Sequence, residues 1–284
     1  MIKKIALFVL ILLSSRVIAE EQALRVNDYN DPNAAYAIKM LKLALAHTDS
    51  NYTVKVLQEN FTQARINEEI ATEGALDVCW NSSDATLEQQ IEPIRIPLFK
   101  GLLGYRIFII NKNNQAKFDH VKTLADLKQL TVGQGRTWAD ARILEANGFK
   151  VIKANKYPNL FYMVEGGRFD GFPRGVHEPF GELDARPNME LGIEKNLMVY
   201  YQMPFYLFVS KNNKKLKAIL EDGFEKAIAD GSFDATFLAD KAVQDVIAKA
   251  NMKNRLVFRL SNPTLSKETP INRPELWFDP DTLP

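Results

Sequence analysis

Apolar residues at Ala37, Met40, Leu41, Ala44 and Leu45 recur at the helical period, and YTVKVL directly after them alternates as a strand does. Before them ALRVND is a short strand, and Asp31 with Pro32 stand where a helix takes its cap and first turn. The chain thus opens strand, helix, strand. A second helix around Gln63 to Ala71 leads through Gly74 into ALDVCW, a continuous apolar run of the kind found in buried parallel strands. Polar NSSDATLEQQ follows, then IPLFKGLLGYRIFII, a long strand signal.

After it the pattern restarts. LKQLTVG reads as a strand, WADARILEAN as a helix stopped by Gly148, and FKVIKA as a strand. NLFYMVE reads as a helix stopped by Gly166 and Gly167, and RFDGF as a strand. LMVYYQMPFYLFVSK is a further apolar, β-branched and aromatic segment. An amphipathic helix carrying Leu216, Ile219, Leu220, Phe224, Ala227 and Ile228 comes next and ends at Gly231. Another helix spans about Phe233 to Ala250, and the proline-dotted tail lies over the surface, pinned by Leu276 and Trp277. Strands alternating with helices give an α/β fold with mostly parallel, covered sheets.

The strands GYRIFII and FYLFVS bracket the middle segment, as crossovers to an inserted lobe would. This divides the chain into a signal peptide (1–19), the first part of lobe 1 (20–105), an inserted lobe 2 (106–205), and a completion of lobe 1 with the tail (206–284). Two crossings make a hinge, about which a cleft opens and closes by small backbone rotations.

Composition narrows the function. The first residues give two lysines, an apolar core from Ile5 to Leu13, and Val17 and Ala19 at the positions of a cleavage site, which is a secretory signal. Glu20 and Glu21 stand where a lipid-bearing cysteine would be needed, so a free periplasmic protein is expected, and it is expected to be a monomer. Lysine and arginine number 36 against 35 acids, without the excess that nucleic-acid binding requires. The single cysteine, Cys79, sits in an apolar run and reads as a buried thiol. His47, His120 and His177 lack metal-site spacing. No nucleophile elbow, phosphate loop or zinc signature is present, so no enzyme, cofactor or metal is expected.

Two glycine-rich turns, GQGRTWAD and GRFDGFPRG, each deliver an arginine where a strand ends, Arg136 and Arg174. Thr137 to Asp140 has the form of a capping box, and free N–H groups at that helix start, beside Arg136, also suit an anion. Arg174 is held between Pro173 and Gly175 at a sheet edge where α/β folds place ligands. Glu178, four residues on, either orients Arg174, meets a cationic group on the ligand, or is an exposed helix-start acid. Arg106 in the crossover faces either cleft or solvent. Trp80 and Trp138 either stack on a ligand from opposite lobes or pack in the core. Asn81 and Ser82 follow the third strand as donors from lobe 1, or as loop caps. These residues form the candidate ligand-binding set, aimed at a small molecule.

With these pieces in place, the chain resembles the solute-binding proteins of the amino-acid ABC transporter class. The likeness rests on the order of ALDVCW with SSDATLEQ, the GYRIFII crossover, LADLKQLTVGQG before a helix, and GGRFDGF before a turn. It implies the type II periplasmic binding fold, two mostly parallel sheets joined by two crossover strands. It also implies a ligand that is anionic or amino-acid-like, and an inner-membrane permease as partner. Members usually carry threonine, two residues, then a carboxylate-clamping arginine; here Thr86 is followed by Gln89 at that position. They usually place an aspartate five residues beyond the GR-x-D aspartate; counting from Asp170 gives Gly175. Both departures leave a charged end of an α-amino-acid ligand without its usual clamp. A sensing module for a membrane receptor and a cyclohexadienyl dehydratase-like enzyme are the alternative readings of the same resemblance.

Overall fold

The computed structural model describes residues 22–28 and 33–282, so the signal peptide and the Asp31–Pro32 cap lie outside the described residues. The first lobe opens with β1 (Gln22–Asn27), α1 (Ala34–Ala46), β2 (Tyr52–Leu57), α2 (Gln63–Ala71), β3 (Cys79–Ser82), α3 (Leu87–Gln90) and β4 (Glu92–Ile94). The second lobe holds β5 (Tyr105–Asn111), α4 (Gln115–Asp119), α5 (Leu124–Leu127), β6 (Thr131–Gly135), α6 (Ala139–Ala146) and β7 (Lys150–Ala154). It continues with α7 (Tyr157–Glu165), β8 (Phe172–Gly175), α8 (Pro179–Asp184), β9 (Leu191–Ile193) and β10 (Leu197–Tyr200). Then come β11 (Phe205–Val209), α9 (Lys214–Ala229), α10 (Ser232–Leu238), α11 (Lys241–Lys249) and β12 (Leu256–Arg259).

In lobe 1, β1 and β2 pair in parallel, and β11 lies antiparallel between β3 and β4. In lobe 2, β6 pairs in parallel with β7 and is bridged in parallel to Gly171, just before β8. β5 runs antiparallel to β8, β9 and β10. The sheets are therefore more mixed than the alternation of strands and helices predicts. The reason is geometric: β3 and β8 run toward the cleft, whereas β5 and β11 enter their sheets from it, which sets Arg106 opposite Gly175 and Phe205 opposite Ser82.

The two crossovers touch. The N–H of Tyr201 donates to the carbonyl of Gly104 at 3.2 Å and that of Leu98 to Phe205 at 2.9 Å. A Cβ on Gly104 would stand 2.3 Å from the Tyr201 carbonyl oxygen, so only glycine lets the strands approach this closely.

The C-terminal segment does not serve lobe 1 alone. α9 packs on α1, but β12 pairs in parallel with β10 and so extends the lobe 2 sheet. The tail then returns to lobe 1, where the Thr264 carbonyl accepts from Ala85 N–H at 2.9 Å. Leu276 is buried, and the Trp277 indole covers Gly101. The expected helix from Phe233 to Ala250 is two helices, broken where the Asp240 carboxylate caps α11 through the Ala242 N–H. Among the described residues no helix is long and apolar enough to cross a membrane.

Candidate ligand-binding cleft

A cavity of about 590 Å³ lies between the lobes. Its lobe 1 wall is rich in amides and hydroxyls: Gln63 and Asn67 from α2, Asn81 and Ser82 from the end of β3, and Thr86 and Gln90 around α3. The facing wall carries charge: Arg106 at the start of β5, Asp140 and Arg142 on α6, Arg174 on β8, and Glu178 before α8. Strand ends converge here because carboxyl ends of α/β strands and the helix starts after them share one edge of each sheet.

Arg174 is 4% exposed, and the Nε and Nη2 of its guanidinium bond to the chain's own acids. Its Nε donates to Glu182 Oε1 and Oε2 at 2.9 and 3.0 Å, and its Nη2 to Glu182 Oε1 at 2.6 Å and Glu178 Oε1 at 2.7 Å. Burial works against this charge, but Glu178 and Glu182 outweigh it and hold the guanidinium charged. The Tyr157 hydroxyl donates to Glu182 at 2.6 Å; burial first, then that carboxylate, raises its pKa.

Arg106, 2% exposed, faces the cleft. Its Nη2 lies 2.6 Å from Asp140 Oδ1, its Nη1 3.6 Å from Glu178 Oε2, and its Cζ 5.5 Å from the Tyr201 ring centroid. Burial opposes its charge and Asp140 restores it. Its Nε is buried without a hydrogen-bond partner among the described residues. Asp140 also accepts from the Tyr201 hydroxyl. The Thr137–Asp140 capping box is consequently not formed: Trp138 is the N-cap of α6, without a side-chain cap, because Asp140 turns to the buried arginine instead. The capping box that does form is Thr123 with Asp126 on α5.

Of the residues expected to bind ligand, Arg106, Thr137, Trp138, Arg174, Glu178, Asn81 and Ser82 line the cavity. Arg136 does not. It is exposed, and its Nε donates to Asn155 Oδ1 at 2.7 Å on the outer side of the turn. Trp80 is 1% exposed and belongs to the hydrophobic core, so the Trp80–Trp138 pair is not brought together. Alternation explains this, since Trp80 and Asn81 point to opposite faces of β3 and Asn81 takes the cleft.

Glu178 folds back over Gly175. Its Oε2 accepts from the Gly175 N–H at 2.6 Å and would lie 3.0 Å from a Cβ built on Gly175. It also receives Asn33 Nδ2 of lobe 1 at 3.3 Å, and Asn33 Oδ1 lies 3.2 Å from His177 Nε2. His177 is stacked on Phe99 at 4.1 Å between centroids. Burial, then Arg106 and Arg174, push its pKa down to about 3. Cys79, also buried, has its thiol pKa raised by burial.

Sequence reasoning missed Glu182, Tyr157 and the ion pair between Arg142 and Asp84 that joins the two walls. Glu182 had a legible signal, four residues after Glu178 on the short helix that Glu178 precedes. Asp84 and Arg142 had none, being 58 residues apart.

No protein-family profile and no curated protein matches this chain. Among solved structures it is similar to an ancestral arginine-binding protein bound to arginine, at 19% identity and TM-score 0.56 over 76% of this chain and 96% of that one. It is also similar to a periplasmic binding protein of high arginine specificity from Salmonella typhimurium, at 17% and 0.55 over 76% and 97%. A histidine kinase sensor domain with similarity to periplasmic binding proteins matches at 12% and 0.55 over 76% and 93%. The class of fold is therefore the two-lobed periplasmic binding protein fold, as the sequence resemblance implies.

Proposed function

We propose that the protein is a periplasmic solute-binding protein that closes on a small, polar, amino-acid-like solute and presents the closed form to an inner-membrane permease. The observation that carries this reading is the cavity itself: 590 Å³ is within the usual range for a small-molecule site, and both lobes line it with polar groups. A solute touching both walls favours the closed arrangement by its extra contacts there.

Charge narrows the solute. The guanidinium groups of Arg106 and Arg174 face three carboxylates, Asp140, Glu178 and Glu182, a formal sum of −1, while Arg142 and Asp84 cancel each other. That balance disfavours a dianion in a poorly solvated cleft. It suits a zwitterion, with its ammonium toward the acids and an acceptor oxygen toward the guanidinium of Arg106, which lines the cavity. Binding without turnover is favoured because His177 is neutral and enclosed, and Cys79 is held as a thiol inside the core.

A thermal-shift screen tests this. Neutral amino acids or related zwitterions should raise the melting temperature by several degrees at saturating concentration, as mass action requires. Dicarboxylates should leave it unchanged; a stabilising dicarboxylate with no zwitterionic hit would overturn the assignment.

A further inference from the structure

The side chain of Arg174 sits in an enclosure that has the chemistry of a receptor for a planar cation. Its Cζ lies 5.0 Å from the ring centroid of Trp138, 5.5 Å from that of Tyr157 and 5.1 Å from that of Phe172. Glu182 meets one edge of the guanidinium through Nε and Nη2, and Glu178 meets Nη2 as well. The hydroxyl of Tyr157 donates to Glu182 Oε1, the oxygen that Arg174 Nη2 also meets. Aromatic faces with two carboxylates attract a guanidinium by cation–π and charge-assisted bonds together. The enclosure adjoins the solute cavity, since Trp138, Tyr157, Arg174 and Glu178 line both.

We propose that this enclosure is a cation-binding subsite of the cleft which the chain fills with its own Arg174, so that residue 174 decides which solutes the cleft takes. The consequence for solute choice rests on the cleft being the solute site; the enclosure does not. With arginine at 174, a solute bearing a guanidinium or ammonium side chain meets a subsite already occupied. With a small residue there, two acids and three rings are left around a space of guanidinium size.

A purely structural ion pair predicts something different. Removing one partner of a buried pair destabilises because the remaining charge is uncompensated, and no particular cation should repair it. A receptor predicts repair by the missing fragment supplied from solution.

The experiment is a titration of methylguanidinium chloride into the mature full-length chain carrying Arg174→Ala, at ionic strength held constant with sodium chloride. The variant should show a saturable rise in Tm of about 3 °C at a concentration about tenfold above half-saturation. The unsubstituted protein should show none, and Arg174→Ala with Glu182→Gln should lose most of the rise. Equal responses in all three proteins, or no saturable response in Arg174→Ala, overturn the proposal. Should Arg174→Ala fail to fold in sodium chloride alone, recovery of folded protein on refolding with methylguanidinium supports the enclosure, and equal recovery with and without it overturns it. Agmatine and arginine are then titrated against both proteins. Rescue by methylguanidinium in a protein for which no cleft solute can be found leaves the enclosure standing and removes the solute-binding reading.

Discussion

At the scale of single residues, burial changes what a side chain does more than its identity does. His177 is 3% exposed, stacked on Phe99, facing Asn33 of lobe 1 and lying near Arg106, Arg174 and Glu182. Its pKa of about 3 in the folded state against 6.5 in a free histidine means that the unfolded chain binds the extra proton between those values. Stability from this residue is therefore fully present above about pH 6.5 and is lost as pH falls toward 3, at about 1.4 kcal/mol per unit. His177→Phe keeps the ring and removes the titration, so urea melts of the two proteins between pH 7 and about pH 4.5 should diverge in slope. Parallel lines would show that His177 is not buried as a neutral ring. The sequence could not distinguish this histidine from the exposed His120, because depth is set by Phe99 and Asn33, which lie 78 and 144 residues away. The same holds for the arginines: Arg136 and Arg174 follow similar glycine-rich turns and each has an acid four residues ahead, yet Asp140 pairs with Arg106 whereas Glu178 and Glu182 draw Arg174 inward.

At the scale of elements, local periodicity was a good guide where one face of the element is buried. In α1 the residues Ala37, Met40, Leu41, Ala44 and Leu45 are all buried, as their spacing requires. In α9 Leu216, Leu220, Phe224 and Ala227 are buried and Ile219 and Ile228 lie at the margin. Strand direction was not legible, since a run such as GYRIFII is equally apolar whichever way it enters a sheet buried on both faces. Nor was the C-terminal strand β12, whose Leu256 and Arg259 are exposed at the edge of lobe 2. The contact between crossovers at Gly104 is the element-level feature on which lobe placement depends. Gly104→Ala would force a methyl group against the Tyr201 carbonyl, where both neighbours are backbone and cannot swing aside. It should lower stability by about 1–3 kcal/mol, read as a drop in urea midpoint. A variant as stable as the parent would mean that the crossovers separate at little cost.

At the scale of the whole molecule, the polar ties between the lobes among the described residues include two that substitution can remove. Asp84 on lobe 1 pairs with Arg142 on α6, and Asn33 at the start of α1 reaches both Glu178 and His177. Asp84 is nearly buried but the Arg142 side chain is 48% exposed, so the pair is screened and contributes under about 1 kcal/mol. The β10–β12 ladder and the tail that runs from it back to Ala85 give the lobes a connection beyond the two hinge strands. That connection should limit the amplitude of any opening, and the polar ties should bias its population. Removing the ties should therefore shift the population without altering either lobe. Arg142→Ala combined with Asn33→Ala should increase the radius of gyration of the unliganded protein in small-angle X-ray scattering, while far-ultraviolet circular dichroism stays the same. The weakening of solute binding follows from the same shift, because apparent affinity falls with the fraction of binding-competent molecules. Scattering curves that superimpose for variant and parent would mean that the closed arrangement is held by the hinge and tail alone, and the charged pair would then have no part in closure.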